Sequence, residues 1–413
     1  MKNRVVITGL GVIAPNGIGK DEFWKALKEG KSGIKKISRF DPSGYPCQVA
    51  GEITNFDPLE YMDSKAVKRM DRFSQFSLAC AKMAIEDADL KIGNGALENA
   101  SVVVGSAIGG IPMAEDQHVL FLEKGLKRIS PYLAISLFTG SASGQISIAL
   151  GIKGYSNVIG GACAAGTDAV GYSFDIIRKG ETSLVLAGGA EAPLAPLTFG
   201  SFCIIDALSK INGSPERASR PFDAERNGFV MSEGAGILVL EELTHALKRG
   251  AHIYAEIVGY GTRYDSYHMV QPSPNGEEAG KAVLMSLQDA EISPEKIDYI
   301  NAHGTSTPLN DKTETIVAKR VFGERAYKIP ISSTKSMIGH TLGAAGAIEV
   351  IVSALTLKDQ FIHPTINYEY PDPDCDLDYV PKVGRPAKVN YLLTNSYGFG
   401  GKNSALVLKK FNH

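Results

Sequence analysis

Long apolar runs are missing from this 413-residue chain. No stretch reaches the ~20 residues that a membrane helix needs, and the N-terminus enters a strand pattern at once, so neither a membrane span nor a signal peptide is expected. An excess of one charge is missing too: 43 Lys and Arg stand against 45 Asp and Glu, a net −2. Without a global basic field, neither nucleic acid nor an anionic membrane is an expected partner. Cysteine is scarce and unpatterned. The five (Cys47, Cys80, Cys163, Cys203, Cys375) form no C-x-x-C pair, which excludes a disulfide framework and a zinc knuckle and reads as reduced, cytoplasmic usage. The sequence also lacks low-complexity tracts, a P-loop, a Rossmann glycine fingerprint at a suitable junction and a metal-ligand cluster, so no cofactor is expected.

What is present is ordinary in bulk: 44% hydrophobic and 21% charged residues, the balance of a soluble globular protein. Short apolar runs read as buried strands at Arg4–Val12, Ser101–Gly105, Ser183–Gly188, Gly236–Glu241, Ala255–Gly259, Tyr299–Ala302, Ile329–Ser333, Tyr391–Ser396 and Ser404–Leu408. Helical patterns fall between many of them, at Lys20–Glu29, Arg72–Ala88, Ala164–Arg178, Gly276–Ala290, Thr313–Val321 and Gly343–Lys358. That alternation predicts an α/β fold with largely buried sheets. The halves also resemble each other. Glu233–Glu241 closes the first as Lys402–Lys409 closes the second, and the helical stretches after Cys163 and after His340 occupy corresponding places. A duplication divides the chain into residues 1–250 and 251–413, without a Gly/Ser linker. The segments from Asp57 to Met70 and from Val119 to Leu133 are less regular and read as insertions over one face.

Cys163 lies where an apolar run ends and a helical one begins, in Gly160-Gly161-Ala162-Cys163-Ala164-Ala165-Gly166. A thiol at a helix start feels the positive end of the macrodipole, which predicts a lowered pKa. His303, in Asn301-Ala302-His303-Gly304-Thr305-Ser306-Thr307-Pro308, and His340, in Lys335-Ser336-Met337-Ile338-Gly339-His340, both sit in glycine-containing turns far downstream. One cysteine with two remote, turn-borne histidines points to covalent thiol catalysis. A lone cysteine packing as a small hydrophobe is the bland alternative.

These motifs, with Asn395-Ser396 before Gly398-Phe399-Gly400-Gly401, resemble the elongating β-ketoacyl-[acyl carrier protein] synthases of the KAS II kind, in the thiolase-like superfamily. The resemblance runs nearly end to end and implies a five-layered αβαβα fold from two duplicated halves. It implies decarboxylative Claisen condensation of an acyl chain held on Cys163 with malonyl-[acyl carrier protein], in fatty acid elongation. It assigns the oxyanion hole to the N–H groups of Cys163 and Phe399, and enolate stabilisation to His303 and His340. Lys335 resembles a lysine that orders the site electrostatically, paired with Glu314; a structural ion pair is the alternative for both. Thr305 and Thr307 match hydroxyls that hold the pantetheine arm, and Phe399 and Gly400 also match substrate-binding positions. Ile108 matches an acyl-pocket position, or is ordinary core. Lys65, Lys68 and Arg69 match a carrier-docking cluster, with Lys124, Lys127 and Arg128 as a second basic group. By resemblance alone, a monovalent cation is expected near Asn301, Glu349 and Ser396.

Several positions depart from that pattern. Asp206 stands where arginine is usual, Val270 and Gly161 where threonine is usual, Lys402 where threonine or histidine is commoner, and Tyr397 for phenylalanine. Ile135–Gly144 is unusual at what resembles the dimer-facing pocket floor. Gly166–Tyr172 looks closer to ketosynthases of type II polyketide systems, in which the active subunit pairs with a cysteine-lacking chain-length partner. The expected partners are therefore acyl- and malonyl-loaded carrier protein and either a second copy of the chain or such a partner subunit. A thiolase would add a cysteine near Gly398–Gly401, and a KAS III starter enzyme would carry asparagine at His340; neither holds here.

Overall fold

Val5–Ala14 (β1) is buried along its whole length, as expected of an apolar strand covered on both faces. Its glycines are there for contact: a Cβ on Gly9 would stand 2.2 Å from the Ala84 carbonyl oxygen, and one on Gly11 1.9 Å from that of Cys80. The helix bearing those carbonyls, Arg72–Asp87 (α1), therefore lies directly on the strand. The computed structural model describes residues 2–93 and 95–412.

Four more strands complete the first half: Ser101–Gly105 (β2), Ser156–Ile159 (β3), Leu184–Glu191 (β4) and Gly234–Glu242 (β5). The second half repeats the set with Ala255–Tyr264 (β6), Tyr299–Asn301 (β7), Ile331–Ser332 (β8), Tyr391–Gly398 (β9) and Lys402–Lys409 (β10). The hydrogen-bonded order is β3-β2-β4-β5-β1-β6-β10-β9-β7-β8, with Gly17–Ile18 paired beside β1 as the eleventh strand. Read outward from the centre, each half runs first, fifth, fourth, second, third strand. In each, the first two pairings are antiparallel and the last two parallel. The halves join where Val5–Ile7 pairs antiparallel with Ala255–Ile257.

Helices Ala165–Arg178 (α2), Glu277–Asp289 (α3), Pro308–Phe322 (α4) and Ala345–Asp359 (α5) complete the layers. Helix α5 is buried from Ala345 through Leu357 and α2 is buried on nearly every side, the mark of helices sandwiched between sheets. They pack on each other in the middle, α1 covers the sheet of the first half, α3 covers that of the second, and α4 packs beside α3 with Val317, Ala318 and Phe322 in the same apolar cluster as Ile300 and Leu393. The result is the five-layered, thiolase-like αβαβα arrangement. Helix Ile111–Lys124 runs through the start of the stretch expected to be irregular from Val119, and helix Pro196–Ile204 was not legible in the sequence. Among the described residues, no helix is long and apolar enough to cross a membrane.

A short turn precedes each middle helix, and in each a non-glycine residue takes a left-handed conformation: Ala162 at φ 47° before α2, and Leu342 at φ 44° before α5. These two junctions face each other across the molecular centre and carry the site.

Candidate active site

Cys163 follows Ala162 in the turn Ala162–Ala164, and its side chain enters a cavity of about 320 Å³. His303, His340, Thr305, Thr307, Tyr397 and Phe399 line the same cavity. The N–H groups of Phe399 and of Cys163 itself both act on the sulfur to favour its thiolate, so the two donors assigned to the oxyanion hole lie near one atom. Gly398 permits that approach, because a Cβ there would stand 3.2 Å from both the Cys163 nitrogen and the Gly161 carbonyl oxygen.

The expected acidity of the thiol is overturned. Burial pushes the Cys163 thiol up to about 12, against the opposing pull of the Lys335 charge and the Phe399 N–H. The helix start orients the sulfur, but desolvation of the thiolate is the larger effect. At rest Cys163 is therefore a thiol.

His303 follows β7, and its turn is pinned by one carboxylate. Glu314 on α4 accepts the N–H of His303 at 2.8 Å, that of Gly304 at 2.7 Å and Asn395 Nδ2 at 2.8 Å. His340 is held through its backbone: its N–H donates to the Val230 carbonyl at 2.7 Å, and its carbonyl accepts the Ser232 N–H at 3.0 Å. The two imidazoles meet edge to face with centroids 5.2 Å apart. Burial, and then the nearby Lys335 charge, hold both well below the usual histidine range, so both are neutral at pH 7. Lys335 Nζ lies 3.3 Å from Nδ1 of His303, and with the ammonium donating there the neutral ring carries its proton on Nε2.

The ionic partner of Lys335 is Glu349 on α5, not Glu314. Both carboxylates are buried, and desolvation raises each to about 7. Glu314 thus positions the His303 turn, whereas Glu349 compensates the lysine. Pairing follows layer geometry: Lys335 begins the short helix Lys335–Ile338 under α5, whereas the Glu314 oxygens are taken up by backbone and amide N–H groups.

Thr305 and Thr307 line the cavity with their hydroxyls 2.9 Å apart. Five expected residues lie elsewhere. Ile108 is not among the cavity-lining residues, and its N–H donates to Glu191 at 3.2 Å. Gly400 does not line it either, and its N–H donates to the Met269 carbonyl at 2.8 Å. Lys65, Lys68 and Arg69, on and just after helix Ser64–Val67, lie outside the cavity, with the Arg69 guanidinium over the Tyr132 ring at 5.0 Å. Instead, Asp206, Asp265, Ile205, Val270 and Leu309 are found at the cavity wall. No lysine or arginine among the described residues lines it.

Glu191 was missed. At the end of β4 its fully buried carboxylate accepts Ser106 Oγ and the N–H groups of Ala107, Ile108 and Gly343, tying the first half to the turn that follows His340. A carboxylate closing a wholly apolar strand was the available signal. Around the expected cation position, Asn301 Oδ1, Glu349 Oε2 and Thr394 Oγ1 are buried without hydrogen-bond partners, while Ser396 Oγ bonds Thr167 Oγ1 at 2.7 Å. All three are hard oxygen donors, the kind a small cation takes.

Residues 2–246 match the family model for the N-terminal domain of β-ketoacyl synthases, and residues 254–369 that for the C-terminal domain. The chain is 46% identical to 3-oxoacyl-[acyl-carrier-protein] synthase 2 of Synechocystis and to that of Coxiella burnetii, in each case over 99% of both chains. Among solved structures, it superposes on the ishigamide ketosynthase/chain length factor with a TM-score of 0.94 at 37% identity. A type II polyketide ketosynthase in complex with its acyl-carrier protein gives 0.90 at 38%; both matches cover 100% of each chain.

Proposed function

The chain belongs to the β-ketoacyl synthase family, and from that membership we propose that it is an acyl-transferring condensing enzyme of fatty acid elongation, working in the cytoplasm. One observation carries the reading: Cys163, His303, His340 and Phe399 line one cavity.

The acyl thioester carbonyl enters with its oxygen between the Cys163 and Phe399 N–H groups. The sulfur attacks, and the thiol proton leaves with the carrier's pantetheine sulfur, so no free thiolate has to persist in the buried site. Malonyl thioester then binds with its carbonyl oxygen against the imidazole N–H groups. Loss of carbon dioxide leaves an enolate, stabilised by two neutral donors that keep their protons. Its carbon attacks the Cys163 thioester, the C–S bond breaks, the 3-oxoacyl carrier departs, and the sulfur regains a proton from solvent. Neutral histidines suit this chemistry because a charged imidazolium would protonate the enolate carbon's competitor, the oxygen. Lys335 serves by holding the His303 tautomer.

Thr305 and Thr307 hold the pantetheine arm, and the carrier docks where Asp206 and Leu309 open the cavity to solvent. Asp206 is ion-paired with Lys210 at 2.6 Å, so the mouth offers a neutralised pair and apolar Ile204 and Ile205 rather than a basic field. Lys65, Lys68 and Arg69 remain the basic docking cluster of this reading. A monovalent cation is held by Asn301, Glu349 and Thr394 as a structural ion. The division into residues 1–250 and 251–413 separates the half that bears the nucleophile from the half that bears both histidines. Two copies of the chain pair through β3, the outermost strand on its side of the sheet.

The test is single-turnover acyl transfer from acyl-carrier, read by intact mass. The wild type gains the acyl mass and Cys163→Ala does not; no gain on the wild type, or an equal gain on the variant, overturns the reading. The mass also separates pathways. A second reading, the active subunit of a type II polyketide synthase, is favoured by the acidic Asp206 at the mouth and predicts a poly-β-keto adduct and a mixed dimer.

A further inference from the structure

The Phe399 N–H must stay in place relative to the Cys163 N–H, yet the two come from different halves of the molecule. The turn that carries Phe399 has little to hold it. Gly398, Gly400 and Gly401 lack side chains, and Gly400 and Gly401 take φ values of 81° and 78° that only glycine adopts readily. Backbone bonds tie it to the segment 265–269, through Gly400 N–H to the Met269 carbonyl and Asp265 N–H to the Gly401 carbonyl.

The links to α2 are made at the two ends of the turn. On the entering strand, Ser396 Oγ lies 2.7 Å from Thr167 Oγ1. On the leaving strand, Lys402 is the first residue after Phe399 with a side chain, and its Nζ lies 3.1 Å from Asp168 Oδ2 in the first turn of α2. The pair is enclosed, with side chains 13% and 6% exposed. Its geometry is set from every side. Asp168 Oδ1 accepts the Tyr260 hydroxyl at 2.7 Å and Ser404 Oγ at 2.5 Å, and the Lys402 ammonium lies 4.6 Å from the centre of the Tyr264 ring. Gly161 completes the arrangement, since a Cβ there would stand 3.1 Å from Asp168 Oδ2, the oxygen that Lys402 holds. Two departures from the family pattern, Gly161 and Lys402, therefore meet at one carboxylate.

We propose that the Lys402–Asp168 ion pair is a positioning device for the oxyanion hole, clamping the Phe399 turn to the helix that begins at Cys163. Lys402 touches no reacting atom and acts through the turn. The inference rests on the condensing-enzyme reading and separates its two half-reactions. Acyl transfer uses the oxyanion hole, whereas malonyl decarboxylation uses the two histidines, which Lys402 does not contact.

The experiment compares wild type, Lys402→Met, Lys402→Arg and the double variant Lys402→Met with Asp168→Asn, which leaves no unpaired buried charge. Two rates are read: single-turnover acylation of Cys163 from acyl-carrier, and carbon dioxide release from malonyl-carrier. Lys402→Met and the double variant slow acylation about tenfold, less than the 10²–10³ of losing a donor outright, with KM for acyl-carrier and the decarboxylation rate each within about twofold of wild type. Lys402→Arg restores acylation to within about threefold. Acylation at the wild-type rate in the double variant overturns the inference, as does a parallel fall of both rates, which marks a merely structural pair. A wild type that never acylates sinks the condensing-enzyme reading and this inference with it.

Discussion

Replacing Lys335 by methionine tests the electrostatic logic of the site most directly. Lys335 is 1% exposed, and its ammonium has two neighbours, the Glu349 carboxylate and Nδ1 of His303. Removing one partner of a buried pair leaves the other uncompensated, at a cost of about 3–5 kcal/mol. Here protonation limits the penalty, because Glu349 is already raised to about 7 with the lysine present and takes up a proton without it. Adding Glu349→Gln removes the orphaned charge and recovers most of that stability. The chemistry does not recover. His303 loses the donor that fixes its tautomer, and loss of one enolate donor costs about 2.7–4 kcal/mol, some 10²–10³ in rate. The sign of the pH effect follows from the lysine's charge. Lys335 lowers the pKa of both histidines, so without it those pKa values rise and the acid limb of the rate profile moves up toward neutral pH. The assay is carbon dioxide release from malonyl-carrier between pH 5 and 8, in the stabilised double variant. Release within about threefold of wild type, with an unmoved acid limb, refutes the role given to Lys335.

Gly398→Ala brings a Cβ to 3.2 Å from the Cys163 nitrogen and forces the turn back by a few tenths of an ångström. Acylation slows about tenfold, and stopped-flow acyl transfer at the wild-type rate would count against the oxyanion assignment. His303→Ala and His340→Ala each depress carbon dioxide release by at least about 10² while acylation of Cys163 persists; unchanged release in both removes the enolate role. Asp206→Arg replaces the acidic member of the Asp206–Lys210 pair with a second cation at the cavity mouth, so Kd for an acidic fatty-acid carrier tightens and becomes more salt-sensitive, which titration at two ionic strengths checks.

The chemistry was legible in the sequence because it resides in residue types at strand–helix junctions, and the alternation of apolar runs reveals those junctions. His303 and Phe399 follow buried strands, Cys163 follows the partly exposed strand Ser156–Ile159 and His340 the short helix Lys335–Ile338, and all four line one cavity. Duplication was legible for the same reason, since Glu233–Glu241 and Lys402–Lys409 close equivalent sheets. Helix Pro196–Ile204 was not, because its apolar residues lack a helical period against one face.

Two kinds of fact depended on the tertiary structure alone. Pairing was one. Glu314 lies nearer to Lys335 in the chain than to Asn395, yet its oxygens meet N–H groups from two other segments, while Lys335 meets a glutamate from a helix of the middle layer. Sequence separation carries no information about which of two carboxylates a buried ammonium faces; packing of layers decides it. Proton affinity was the other. The start of α2 argues for an acidic thiol, but enclosure between two sheets removes the water a thiolate needs, and desolvation outweighs the helix terminus. Residue identity supplied the candidate groups, and burial determined the charge state in which they wait.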